Sequence, residues 1–327
     1  MARYFVTGAT GFIGGEIVKQ LIGRGHRVVA LVRSPDKAGM LKALGVEMHA
    51  GDITDRDSLR APMEGVDGVF HVAAWYKVGV HEPLADQINV DGTRNVLKTM
   101  RTLEIPRGVY TSTVAVFSDT KGAVPDESYR YDGPHLSHYD RTKWIAHYRV
   151  ALPKMADNLP LIIAMPGLVY GAGDTSGMHT ALMDLLRGRL PMTPAGTAFC
   201  WSHVEDTARG HILAMEKGTP GETYIITGPR HTFEYAFDLA AKIAQVRPPL
   251  MHPGPRTMRG LAALMSRAGR YTNLPPALEP EALRVLAGTT YFGSNEKAVR
   301  ELGFAARPLE EGMAQTLEHE LHAIGRR

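Results

Sequence analysis

Between Tyr4 and about Met165, short apolar runs alternate with longer amphipathic ones. The short runs are Tyr4–Thr7, Arg27–Val32, Val46–Ala50, Gly68–Val72, Gly108–Ser112 and Leu159–Met165. Rich in β-branched and aliphatic residues, they read as strands. The longer runs are Phe12–Arg24, Asp55–Met63, Asn89–Leu103 and Tyr139–Ala156. Their apolar positions recur at helical spacing, and Gly25-His26 closes the first of them. Continuous apolar strands separated by helices predict an α/β fold, a doubly wound parallel sheet covered on both faces. Such sheets bind ligands at the carboxyl ends of their strands, so strand-end residues are the candidates for chemistry.

After Pro166 the pattern loosens. Gly167–Gly177 reads as a glycine-rich loop, Ala181–Arg187 and Thr232–Gln245 as helices, and Thr223–Thr227 as a strand. Prolines gather in Arg247–Pro255 and Tyr271–Pro280, and Leu309–Ile324 is again helical. The expected division is residues 1–170 as a nucleotide-binding domain and 171–327 as a smaller, irregular, mostly helical substrate lobe. Segments near 200–228 return to the first domain.

Composition narrows this picture mainly by exclusion. With 37 basic and 34 acidic residues among 327, the net charge of +3 is too balanced to call for nucleic acid or a membrane surface. A single cysteine, Cys200, excludes an internal disulfide framework and offers no thiolate metal cluster. Strand-like sequence from Arg3 or Tyr4 leaves no room for a signal peptide. No apolar run approaches the roughly 20 residues that span a bilayer. The expectation is a cytoplasmic protein without a metal, a nucleic-acid partner or membrane insertion.

The opening Thr7-Gly8-Ala9-Thr10-Gly11-Phe12-Ile13-Gly14 follows a strand and starts a helix. Glycines spaced by three let a pyrophosphate approach the backbone, and the helix N-terminus offers it free N–H groups and a positive dipole end. The second strand should end at the adenosine ribose. Where a carboxylate would select NAD, the chain reads Ala30-Leu31-Val32-Arg33-Ser34, and a guanidinium at Arg33 suits the 2′-phosphate of NADP. Gly51-Asp52-Ile53 places Asp52 beside the adenine amino group with Ile53 beneath the ring, or makes Asp52 a cap for the segment after Thr54. His71-Val72-Ala73-Ala74 ends the fourth strand in small residues, so the cofactor backbone can lie close to Ala73 and Ala74. His71 is expected to be structural.

Tyr110-Thr111-Ser112-Thr113 ends the fifth strand in hydroxyls, and Tyr139-Asp140-Arg141-Thr142-Lys143 opens a helix. Residues four apart share a helix face, so Tyr139 and Lys143 are neighbours. A neighbouring ammonium favours phenolate and lowers a phenol's usual pKa of about 10 toward working pH. In order along the chain, Thr7–Gly14, Gly51–Ile53, His71–Ala74, Asn89–Thr93, Tyr110–Thr113, Tyr139–Lys143, Pro166–Gly173 (PGLVYGAG) and Ser202–Asp206 (SHVED) resemble an extended short-chain dehydrogenase/reductase. The resemblance implies a Rossmann-type fold and a nicotinamide cofactor, NADP(H) before NAD(H). It implies Tyr139 as general acid/base, Lys143 as ribose ligand and phenol activator, and Thr113 as the hydroxyl orienting the carbonyl, with Ser112 as the alternative. Thr111, Ser112, Pro166, Gly167 and Val169 are implied cofactor contacts. A homodimer through helices beside the sheet, Tyr139's helix among them, is implied as well.

Three reactions remain open to such a chain. Dehydration needs an acidic pair after the catalytic hydroxyl, and here Val114-Ala115 follows Thr113. Sugar-nucleotide epimerisation is weakened because Phe199 stands where related epimerases hold an arginine on the diphosphate. Arg33 and the Trp75-Tyr76 pair resemble the dihydroflavonol reductase-like branch, which also contains hopanoid-associated sugar epimerases. The expected reaction is reduction of an apolar or aromatic small-molecule ketone or aldehyde, with Trp75, Tyr76, Thr113 and Phe199 lining the substrate. The alternatives are a sugar epimerase and a non-catalytic NADP sensor, the latter disfavoured by the intact Tyr139–Lys143 pair.

Overall fold

The computed structural model describes residues 1–76, 82–269 and 278–325. Its main sheet has seven strands: β1 (Arg3–Thr7), β2 (Arg27–Val32), β3 (Glu47–Ala50), β4 (Gly68–His71), β5 (Gly108–Thr111), β6 (Leu161–Met165) and β9 (Thr223–Ile225). They pair in parallel in the order β3-β2-β1-β4-β5-β6-β9, the Rossmann-type arrangement. Both faces are covered, so successive residues of a strand enter different cores. Phe5, Val29, Leu161 and Ile163 pack with Leu59, Val96 and Ala146. Val6, Val28, Ile162 and Ala164 pack with Ile17, Leu21 and Ile212 on the opposite face. Each such side chain contributes roughly 1.5–3 kcal/mol when taken out of water, which explains why the strand sequences are apolar without alternation.

A smaller sheet follows. Its central strand β8 (Ala198–His203) pairs with β7 (Leu168–Tyr170) and β11 (Thr290–Tyr291) in parallel, and with β10 (Arg230–Thr232) antiparallel. β7 lies inside the stretch expected to be a glycine-rich loop. At Gly167 an added Cβ would lie 2.3 Å from the Cys200 carbonyl oxygen, so glycine there lets the chain run close against β8. The helix Val204–Lys217 also escaped the sequence reading. It buries Asp206, Thr207, Gly210 and His211 together with its apolar residues, which blurs its periodicity. Pro255–Ala268 is a further unexpected helix, opened by Pro255. Residues 271–277 of the proline-rich Tyr271–Pro280 lie outside the described set. Among the described residues no helix is long and apolar enough to cross a membrane.

Candidate active site

The glycine turn lies at the carboxyl end of β1. Gly8 has φ +72°, and a Cβ on it would meet the Ala73 nitrogen at 2.8 Å. At Gly14 a Cβ would stand 2.1 Å from the Gly8 carbonyl oxygen. The Gly11 N–H donates to that same oxygen over 2.9 Å. Thr10 and Gly11 are exposed, and Phe12 and Ile13 half-buried. The helix Phe12–Gly23 has no side-chain cap at Gly11 and no acidic residue in its first turn, so its leading N–H groups are not taken by a side-chain anion. These features fit a pyrophosphate.

The carboxyl ends of β2 and β3 lie on the same edge of the sheet. Arg33 is exposed just past β2. Asp52 Oδ1 accepts from both the backbone N–H and the hydroxyl of Thr54, each at 2.9 Å. The carboxylate therefore closes a local turn and does not cap the helix, which begins later, at Asp57. Ile53 is buried against Gly92, where a Cβ would come within 2.6 Å of it. Ala73 is half-buried and Ala74 exposed beyond β4.

The hydroxyls ending β5 divide sharply. Thr111 Oγ1 pairs with His211 Nε2 at 2.9 Å, and Ser112 Oγ with His147 Nδ1 at 2.8 Å. Thr113 caps the turn Val114–Phe117 by accepting from the Ala115 N–H, and its side chain is in hydrogen-bonding reach of Tyr139. Of the two hydroxyls that compete for one role, Thr113 is the one beside Tyr139. Tyr139 also meets the half-exposed Tyr76 edge-on, ring centres 4.8 Å apart. The helix carrying Tyr139 starts at His138, capped by Ser137, whose Oγ accepts from the Asp140 N–H.

Lys143 departs from the expectation. Its Nζ donates to the Thr111 carbonyl at 2.7 Å and to the Tyr110 hydroxyl at 3.2 Å. Burial pushes its pKa down to about 7. The Tyr139 phenol is raised rather than lowered. Burial is the largest cause, followed by the nearby Tyr76, Asp140 and Tyr110, while Thr113 pulls the other way. Desolvation dominates, and Tyr139 keeps its proton at neutral pH.

Two further residues frame the site: Asn89, expected with Asp91 as a candidate cap of its helix but found inside a continuous helical run, and Asp140. Asn89 Oδ1 accepts from the Trp75 N–H at 2.7 Å, and its Nδ2 donates to the Trp75 carbonyl and the Thr142 hydroxyl. It fixes the half-buried Trp75 beside Tyr139's helix, and its place in the family-like run Asn89–Thr93 was the available signal. Asp140 is buried and accepts from the Tyr291 hydroxyl at 2.9 Å; burial raises its pKa to about 7. Phe199, only 8% exposed, stacks on Tyr291 at 5.7 Å and packs with Trp201 and Phe233. The structure thus places it in an aromatic core behind Asp140. Pro166 accepts from the Val114 N–H through its carbonyl, and Val169 pairs with Ser202 between β7 and β8.

A glycine turn on β1, a hydroxyl past β5 and a Tyr-x-x-x-Lys helix at one sheet edge define an extended short-chain dehydrogenase/reductase. The chain belongs to the NAD-dependent epimerase/dehydratase family, whose model matches residues 4–227. It is 31% identical to sterol demethylase protein B of Methylococcus capsulatus over 91% of this chain and 92% of that protein. It is 30% identical to the 4-hydroxy-2-methyl-3-oxo-4-farnesyl-3,4-dihydroquinoline-1-oxide ketoreductase of Stigmatella aurantiaca, over 93% of this chain and 92% of that one. The crystal structure of gox2253 matches with a TM-score of 0.85 at 30% identity, covering 100% of this chain and 99% of that chain.

Proposed function

We propose that the protein is an NADP(H)-dependent reductase of a ketone or aldehyde on an apolar small molecule. The observation that carries this reading is the convergence of Thr113, a protonated Tyr139 and Lys143 at the edge that also holds the glycine turn. The backbone from Thr10 to Ile13 would hold the pyrophosphate, and Arg33 the 2′-phosphate. Lys143 has one ammonium proton left for the nicotinamide ribose after serving Thr111 and Tyr110. NADPH bound there would be the source of hydride for the carbonyl carbon. Thr113 donates to the carbonyl oxygen and orients it. Tyr139 delivers its proton to that oxygen as the C–O bond gains single-bond character, leaving a phenolate beside the Lys143 ammonium. Two relatives support the substrate class by name, one linked to sterols and one to a farnesylated ketone.

The test is oxidation of NADPH and NADH with a panel of alicyclic, terpenoid and aromatic ketones. Turnover with NADPH should fall by about 10²–10⁴ in Tyr139→Phe. Arg33→Ser should weaken NADPH without changing NADH. Interconversion of a sugar nucleotide with no ketone turnover overturns the proposal in favour of an epimerase. Bound NADPH that no ketone oxidises favours a sensor.

A further inference from the structure

Tyr110, on β5 directly before the hydroxyl run, is buried with 1% exposure. Its hydroxyl accepts from Lys143 Nζ, and the same nitrogen stands 4.8 Å from the centre of its ring. Among the described residues no carboxylate forms an ion pair with Lys143. The histidines around it add nothing negative. His71 stacks on Tyr110 at 5.5 Å, His147 lies one turn along Lys143's own helix, and His211 reaches in from Val204–Lys217. All three are held neutral by burial and by the Lys143 charge.

Hydrogen-bond partners fix the polarity around Tyr110. Thr7 Oγ1 already accepts from the Val72 and Ala73 N–H groups, so its proton goes to His71 Nδ1. His71 then carries its proton on Nε2 and donates to Thr93 Oγ1, which donates onward to the Asn89 carbonyl. Tyr110 meets the ammonium with both its hydroxyl oxygen and its ring. The protons from Thr7 through His71 and Thr93 to Asn89 are thus assigned by their neighbours.

We propose that Tyr110 is a positioning residue for Lys143, its hydroxyl and ring holding the buried ammonium in the place a carboxylate would otherwise fill. The proposal rests on the functional reading given for Lys143. It is tested on Tyr110→Phe, which keeps the ring and its packing. With ¹⁵N-lysine labelling, the Lys143 ammonium signal is identified by its loss in Lys143→Met and titrated by NMR. Losing one hydrogen bond to a charged group should lower the Lys143 midpoint by about one pH unit. In the ketone assay the alkaline fall of kcat should move down by a similar amount. A Lys143 midpoint unchanged in Tyr110→Phe, with the fold intact by melting temperature, overturns the proposal. Full turnover in Lys143→Met overturns the functional reading of Lys143 instead, and the NMR midpoint still decides what Tyr110 does.

Discussion

Acid should unfold this protein through its buried histidines. His71 and His147 are held down to a pKa of about 3 and His211 to about 4, chiefly by burial and then by the charge of Lys143. An unfolded histidine titrates near 6.5. Between those values the unfolded chain binds protons that the folded chain refuses, so stability is complete above about pH 6.5 and falls as pH falls. Each histidine should lose roughly 2 kcal/mol between pH 7 and 5, or about 6 kcal/mol for the three. Asp140 works the other way. Its folded pKa of about 7 lies above the unfolded carboxyl value, so its protonation on acidification returns about 2 kcal/mol. His203, also buried and held down to about 4, adds roughly 2 kcal/mol to the loss, so the net is about 6 kcal/mol, a large share of a typical stability of 5–15 kcal/mol. Urea unfolding followed by tryptophan fluorescence at pH 7 and pH 5 measures it. Imidazole ¹⁵N shifts should show these four among the 14 histidines still neutral at pH 5. An equal or higher urea midpoint at pH 5 refutes the reasoning, as do these imidazoles titrating near 6.5.

Three substitutions probe other parts of the frame. Gly14→Ala forces a Cβ against the Gly8 carbonyl; it should reduce stability by about 1–3 kcal/mol and, by calorimetry, NADPH affinity at least about tenfold. Ser118 combines φ +53° and ψ −149° with a buried hydroxyl that has no hydrogen-bond partner. Ser118→Gly should relieve both and gain about 1–2 kcal/mol, seen as a melting temperature about 3 °C higher. Asp206, buried, accepts from the Arg307 backbone N–H and guanidinium and pairs with Arg209. Asp206→Ala should cost about 3 kcal/mol in urea unfolding, because Arg307 loses most of its counter-charge.

The first half of the chain was legible because its strands are buried on both faces. β2 matches its expected bounds, and the other strands through β6 differ by one or two residues at an end. The helix expected from Asn89 instead begins at Glu82 and passes through a wide turn at Gln87–Gly92, where Asn89 leaves the amphipathic pattern to hold Trp75. β8 was missed: its neighbours β7, β10 and β11 arrive from distant parts of the chain. No local period announces such a strand. In the site, side-chain identity located Thr113, Tyr139 and Lys143, while the direction of the Tyr139 shift was not legible. That sign depends on how deeply the phenol is buried and on which acceptors occupy Lys143, and both are tertiary facts.

The position of β9 has a consequence for synthesis of the chain. β6 is five apolar residues, Leu161–Met165, and its partner on one side is β9, about sixty residues further along. At roughly 5–20 residues per second on the ribosome, β6 waits about 3–12 s with that edge unpaired. An apolar strand with an open edge is a template for pairing with another chain. Until β9 emerges, that edge of the nascent chain is open to pairing with another copy. Co-expression with a chaperone that holds exposed strands should therefore raise the soluble yield.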